Sequence, residues 1–133
     1  MKLGLLGFPK VGKTTLFNIL TGAHATADRY GGGRGQMNIG VARVPGPRLD
    51  RLSAMFRPKQ TTAALIDFVD AAAVEKGEHE AVSIVEMRNV DAIAHVVRAF
   101  RDPTLPHSEG GIDPRRDIDT METELILADL EVA

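Results

Sequence analysis

Apolar and polar residues follow two different periods along the chain, and the changes of period predict where strands and helices lie. Four short apolar segments are typical of strands, at residues 2–6, 37–44, 63–70 and 91–98. The last is almost continuously apolar, which suits a strand covered on both faces. The segments between them predict helices at 12–20, 47–58 and 80–89, and a final helix begins at Pro114. This alternation predicts an α/β fold with a mostly parallel sheet and flanking helices.

Three of the predicted helices carry apolar residues at helical spacing, and we expect the apolar residues of the first to face a core. In the first helix they are Val11, Leu16, Ile19 and Leu20. In the second they are Leu49, Leu52, Met55 and Phe56. In the final helix they are Ile118, Met121, Leu125, Ala128 and Val132, a heptad-like stripe too short to predict a coiled coil.

Length and composition agree with one globular domain over residues 1–133, with helix 114–133 as its last element. The net charge of −2 argues against a general nucleic-acid binder, and without cysteine no disulfide or thiolate metal site can form. The apolar start MKLGLLGF is too short for a signal peptide, and no apolar run approaches the ~20 residues that span a bilayer. We therefore expect a cytoplasmic protein with no membrane partner.

The stretch GFPKVGKTTLFN contains the spacing Gly7-x4-Gly12-Lys13-Thr14, between a predicted strand and a predicted helix. Glycines let the backbone curl so that successive N–H groups face a phosphate, and the helix adds the positive end of its dipole. Lys13 is the predicted catalytic residue, reaching the β- and γ-phosphates, and the Thr14 hydroxyl is a predicted Mg²⁺ ligand. The predicted nucleotide-binding residues are Phe8, Pro9, Lys10, Val11, Gly12, Lys13, Thr14 and Thr15.

Asp70 ends the third predicted strand. If that strand is a parallel neighbour of the first, Asp70 lies beside the phosphate loop, where a carboxylate can hold Mg²⁺ through water. The sequence therefore predicts a Mg²⁺ site that Thr14 and Asp70 share.

Several longer motifs resemble those of the Obg-like ATPases, the YchF subfamily of the P-loop GTPases and ATPases. They are GFPKVGKTTLFNILTGA (7–23), VPGPRLD (44–50), RPKQ (57–60), FVD (68–70), VDAIAHVVR (90–98) and ETELILADL (122–130). The resemblance implies a cytoplasmic, ribosome-associated P-loop NTPase that binds ATP at least as readily as GTP and hydrolyses it slowly with Mg²⁺. Members of the family continue through a helical hairpin, a base-recognition motif and a TGS domain. It therefore implies an incomplete G-domain, with 114–133 as the start of the hairpin.

The chain departs from the family pattern at residues that bear on hydrolysis. Arg34 stands where the first switch has a threonine, and Ala73 stands where the second switch has a glycine, in a loop that is shorter here. Val74 occupies the position where many GTPases carry a water-orienting glutamine. His79 is interpreted as a solvent-facing loop residue, and His95 as a satisfied core or edge histidine. These changes predict slow hydrolysis with phosphate binding retained, and little choice between ATP and GTP.

Two alternative functions stay open for the same chain, and its apolar surfaces predict self-association. A non-catalytic interaction module with degenerate switches is the first alternative, which the intact Gly12-Lys13-Thr14 disfavours. A P-loop kinase is the second, and it lacks the arginine-rich lid that kinases usually need. The strand at 91–98 is expected to be an apolar sheet edge, which predicts self-association through this strand or through the C-terminal helix.

Overall fold

The structure, a computed structural model, describes residues 1–22, 37–71, 82–107 and 110–133. Its elements are β1 (Lys2–Leu6), α1 (Lys13–Thr21), β2 (Asn38–Arg43), α2 (Pro47–Phe56), β3 (Leu65–Asp70), α3 (Val82–Met87), β4 (Ala92–His95) and α4 (Pro114–Val132). Each predicted strand and helix is present. The fourth strand is shorter than predicted: it spans residues 92–95, with one further backbone hydrogen bond to β1 on each side, from Asp91 and from Val96. The segment 23–36 between α1 and β2, which contains Arg34, lies outside the described residues.

The four strands form one sheet in the order β2-β3-β1-β4. β1 is parallel to both β3 and β4, whereas β2 is antiparallel to β3. The sheet is therefore mostly parallel, as predicted, with one antiparallel pair. The Val44 N–H donates to the Ala64 carbonyl at 2.9 Å, so the β2–β3 pairing continues beyond both strands and α2 lies in their connection. This topology brings the start of β2 and the end of β3 to the carboxyl end of β1.

Helix α1 packs on one face of the sheet through Phe17, which is 1% exposed. Phe17 forms a cluster with Leu5 and Phe68. The helix approaches β2 so closely that a Cβ at Gly40 would lie 2.9 Å from the Phe17 ring. The prediction that Ile19 and Leu20 face the core is wrong, because Ile19 is 74% exposed and Leu20 41%. Lys13 and Phe17, four residues apart, define the inward face, and Ile19 lies well round the helix from them.

The opposite face of β1 and β3 is covered by α3 and α4. Their shared core comprises Leu6, Phe8, Val11, Val69, Ala71, Ile84, Met87, Met121 and Ala128. The buried side of α4 is Asp117, Met121, Glu124 and Ala128, so two members of the predicted stripe, Ile118 and Val132, face outward. Asp117 is a charged residue on this buried side. In the fold it accepts hydrogen bonds from Arg116, at 2.9 Å from Nη2, and lies 2.9 Å from His107 Nε2.

Helix α2 contains no buried residue. Its predicted apolar face is largely exposed: Leu52, Met55 and Phe56 are 51%, 68% and 75% exposed. On β2, Ile39 and Val41 are exposed as well, while the small residue Gly40 faces α1. The apolar side of β2 is thus its uncovered side among the residues that the structure describes.

Candidate phosphate and magnesium site

The loop between β1 and α1 is shaped by backbone conformations that suit glycine. Gly7 and Gly12 have φ values of 156° and 101°, and Lys10 adopts a φ of 59°. A Cβ on Gly7 would collide with the Val96 carbonyl oxygen, which follows β4. Positive φ at a non-glycine residue costs on the order of 1–3 kcal/mol and recurs at binding sites. The loop therefore has a curled backbone that an ordinary turn does not require.

Helix α1 begins in this loop, with Gly12 as its N-cap. Glycine has no side chain to satisfy the free N–H groups of the first turn, so these donors are left for another acceptor. A helix start of this kind, after a glycine-rich loop, is a recurrent binding site for phosphate.

Lys13 is buried, at 6% exposure, beneath the loop. Its Nζ donates to the Gly7 and Phe8 carbonyls at 2.8 and 3.0 Å. Burial lowers the pKa of Lys13 to about 8, and the Asp70 carboxylate opposes that shift. A phosphate beside Nζ would add negative charge and favour the ammonium form.

Thr14 and Asp70 meet at the carboxyl end of the sheet. The Thr14 hydroxyl donates to Asp70 Oδ2 at 2.7 Å, and Asn38 Nδ2 donates to the same oxygen at 3.3 Å. Asp70 is 3% exposed, and its other oxygen, Oδ1, accepts no hydrogen bond from any described residue. β1 and β3 are parallel neighbours with Leu5 opposite Asp70, which is the arrangement that the sequence argument assumed.

These two residues fit Mg²⁺, which takes hard oxygen ligands and is usually held by one or two carboxylates or hydroxyls together with phosphate and water. A buried carboxylate oxygen that lacks a partner is a suitable acceptor for a metal-bound water. Within the described ranges no three acidic, histidine or cysteine side chains converge on one point. A cation here would therefore need ligands beyond the described residues, and a nucleotide's phosphates could provide them.

The remaining predicted binding residues take different positions. Phe8 and Val11 point into the core, so only their backbone faces a ligand, whereas Lys10 and Thr15 are exposed. Pro9 has no N–H, so it can shape the loop but cannot donate to phosphate. Ala71 is buried in the core cluster. The predictions for Arg34, Ala73, Val74 and His79 fall outside the described residues.

His95 ends β4, opposite Leu6 in the register and beside the loop. It lies on the edge of the described sheet, as one reading of the sequence expected, and no described residue satisfies its buried Nε2. Burial lowers the pKa of His95, a shift that Asp117 and Glu122 oppose and that Lys13 reinforces. The neutral ring is thus the favoured form in the fold.

Sequence reasoning missed Asn38 as a site residue. Asparagine is uncommon in strands, so its presence at the start of β2 is a signal, but only the antiparallel register places it opposite Asp70. That register depends on residues far apart in the chain.

Known proteins are similar to this chain in both sequence and fold. A family model described as 50S ribosome-binding GTPase matches residues 2–129. The ribosome-binding ATPase YchF of Bacillus subtilis is 41% identical over 96% of this chain and 36% of its own length. YchF of Haemophilus influenzae is 42% identical over 98% of this chain and 37% of its own. The solved structure of the Schizosaccharomyces pombe YchF GTPase covers 98% of this chain and 36% of that one, with a TM-score of 0.71 and 31% identity.

The chain therefore belongs to the 50S ribosome-binding GTPase family. Within that family its relatives are the YchF proteins, as its motifs predicted, and it spans little more than a third of their length. In the described part of the chain, no helix is long and apolar enough to cross a membrane.

Proposed function

We propose that this chain binds a purine nucleotide, ATP or GTP, together with Mg²⁺, and that it supports at most slow hydrolysis. The observation that carries the proposal is the convergence of Lys13, Thr14 and Asp70 at one end of the sheet, with Thr14 Oγ1 2.7 Å from Asp70 Oδ2. Membership of a GTPase family supports nucleotide as the ligand.

Each residue has a separate role in this proposal. The loop N–H groups and the start of α1 bind phosphate oxygens, while Lys13 adds a buried positive charge beside them. Thr14 and Asp70 would hold Mg²⁺, which neutralises the charge that develops on the phosphates. Positioning and electrostatics account for most of phosphoryl-transfer catalysis, so the sequence changes at 34, 73 and 74 should slow hydrolysis more than binding.

The test is a titration of the chain with fluorescent ATP and GTP analogues, with Mg²⁺ and with EDTA. Lys13→Ala should weaken binding about 10- to 100-fold, as expected when charge-assisted hydrogen bonds worth ~1.5–3 kcal/mol are lost. Lys59→Ala, which removes an exposed lysine next to α2, should leave affinity unchanged. Similar affinities for the two bases are expected. Equal binding by wild type and Lys13→Ala would contradict the proposal.

Hydrolysis is tested by phosphate release over hours from Mg²⁺·ATP and Mg²⁺·GTP. Slow release that Lys13→Ala abolishes would support an NTPase. Mg²⁺-dependent binding with no release above the mutant's background would instead support the alternative, a non-catalytic module. Ribosome association and a cytoplasmic location are part of the proposal, because the relatives are named ribosome-binding ATPases. Co-sedimentation with 50S subunits, with and without nucleotide, tests the first of these.

Self-association is proposed on a separate observation. β4 lies at one edge of the described sheet, and Ile126, Leu130 and Val132 on α4 are 66%, 69% and 64% exposed. An unpaired strand edge and an exposed apolar stripe both favour pairing with a second copy. Sedimentation velocity at increasing concentration should show a dimer or larger species. A single monomer species at high concentration would contradict it.

A further inference from the structure

Asn38 is a polar residue at the first position of the edge strand β2, where the sheet meets the phosphate loop. Its backbone lies opposite Asp70 in the antiparallel register. Side chains directly opposite each other in such a pair point to the same face, here the face that α1 covers. Asn38 and Asp70 are therefore cross-strand neighbours on the side of the sheet where Thr14 lies.

The contacts of Asp70 are unevenly divided between its two oxygens. Oδ2 accepts from Thr14 Oγ1 at 2.7 Å and from Asn38 Nδ2 at 3.3 Å. Oδ1 is buried and accepts from no residue that the structure describes. A buried acceptor without a partner costs on the order of 1–3 kcal/mol, so this orientation of the carboxylate needs support from elsewhere.

Two donors on one oxygen provide that support. If the carboxylate turned to exchange its oxygens or swung away, both hydrogen bonds would have to break and re-form. If Thr14 were the only donor, the Asp70 carboxylate could rotate more freely, because the Thr14 hydroxyl can itself rotate to follow it. Asn38 approaches from β2 and Thr14 from α1, so the carboxylate is held from two separate elements.

The pairing of β2 with β3 does not need the Asn38 amide. The ladder runs from Asn38 to Arg43 through backbone hydrogen bonds, and the next residues on the same face of β2 are Gly40 and Ala42, which have no polar side chain. Asparagine is unfavourable in strands, so strand formation does not explain an asparagine at this position. The side chain is better explained by its contact with Asp70.

We propose that Asn38 is a positioning residue for the Mg²⁺ site, which holds Asp70 so that Oδ1 faces the cation that accompanies a bound nucleotide. This rests on the proposed function. Asn38 acts through Asp70 and contacts neither phosphate nor metal. Its loss should therefore change the Mg²⁺ requirement for nucleotide binding and leave metal-free binding unchanged.

The experiment measures the Mg²⁺ concentration for half-maximal binding of a fluorescent ATP analogue by the 133-residue chain, and the nucleotide Kd in EDTA. Asn38→Ala should raise the half-maximal Mg²⁺ concentration about 3- to 10-fold, the scale expected from one orienting hydrogen bond. The Kd in EDTA should stay within about twofold of wild type, because the phosphate loop is unchanged. Asn38→Gln, which keeps the amide on a longer stem, should recover part of the loss.

Asn89→Ala is the matched control, since Asn89 is exposed in the turn before β4, towards the amino end of β1. It should behave as wild type in both measurements. Circular-dichroism melting shows whether each variant folds, and Asn38→Ser, whose hydroxyl ends one bond nearer the backbone, replaces Asn38→Ala if that variant unfolds.

Three results would overturn the inference. An unchanged Mg²⁺ requirement in Asn38→Ala would show that Asp70 needs no second donor. An equal loss of affinity in Mg²⁺ and in EDTA would show a structural role only. In both cases the wild-type chain would still bind nucleotide with Mg²⁺, and the proposed function would stand. A wild-type chain whose binding ignores Mg²⁺ would contradict the proposed metal site and this inference together.

Discussion

Two regions of this chain differ in which kinds of residue they bury and which they expose. At the carboxyl end of β1 and β3, Phe17 is 1% exposed, and the polar residues Lys13 and Asp70 are buried beside a curled loop. At the β2–α2 side, Phe56 is 75% exposed and α2 has no buried residue. The charged residues are thus inside at the first region, and large apolar residues are outside at the second.

Burial in this fold therefore follows packing between elements and not residue type. The α1 face of the sheet is covered because Gly40 allows α1 to approach β2 closely. The other face of β2 has no described helix over it, so Ile39 and Val41 stay exposed. The region that buries charge is the region with the proposed ligand-binding role, and buried charges are expected where pairing or function compensates their desolvation.

The largest predicted effect compares one substitution at two phenylalanines. Phe17→Ala should lower the free energy of unfolding by about 3–5 kcal/mol, because a fully buried ring is lost and a cavity remains. Phe56→Ala should change it by less than about 0.5 kcal/mol, since the ring is largely in solvent. Urea unfolding followed by circular dichroism measures both. Equal losses would show that α2 is packed against something in solution, and the contrast between the regions would fail.

The next effect compares two aspartates. Asp70→Ala should weaken nucleotide binding in Mg²⁺ about 10-fold or more, because the metal loses a carboxylate, and should have little effect in EDTA. Asp50→Ala removes an exposed acid from the first turn of α2 and should leave both affinities unchanged. Fluorescence titration measures the four values. Equal effects at Asp50 and Asp70 would point to a general charge effect and contradict a local metal site.

The smallest effect concerns pH. The lowered pKa of His95 means that the folded chain favours the neutral ring, in a setting made by Asp117 and Glu122 on α4 and Lys13 on α1. Its contribution to stability is therefore complete above the ordinary pKa of 6.5 and is lost as pH falls from there through the lowered value. His95→Gln should flatten the dependence of the unfolding free energy on pH between about 7 and 5. An unchanged slope in the variant would contradict this assignment.

The phosphate loop could be predicted from the sequence because its determinants are local: two glycines, a lysine and a threonine at fixed spacing between a strand and a helix. The fold class could be predicted for the same reason, because the spacing of apolar residues that distinguishes strands from helices is also local. Asn38 could not be assigned, because its role depends on an antiparallel register with β3. Asp117 and Glu124 were not predicted to lie in the core, because nothing local marks a charged helix residue for burial, and the fold buries both.

The apolar face of α2 is the opposite case, because its residues are apolar and exposed. Its periodicity correctly predicted a helix but not what that helix packs against, because Leu52 and Met55 carry no information about which neighbour covers them. Helical spacing reports which residues share a face, and burial depends on the tertiary arrangement.

The most direct test of the account is a ¹H–¹⁵N spectrum of the chain titrated with a non-hydrolysable ATP analogue and Mg²⁺. Amide shifts should concentrate in residues 8–15 and near Asn38 and Asp70, while the amide shifts of α2 should not change. Omitting Mg²⁺ should remove the shifts near Asp70 and keep most of those in the loop. Shifts centred on α2, or none at millimolar analogue, would contradict a nucleotide site at the carboxyl end of β1.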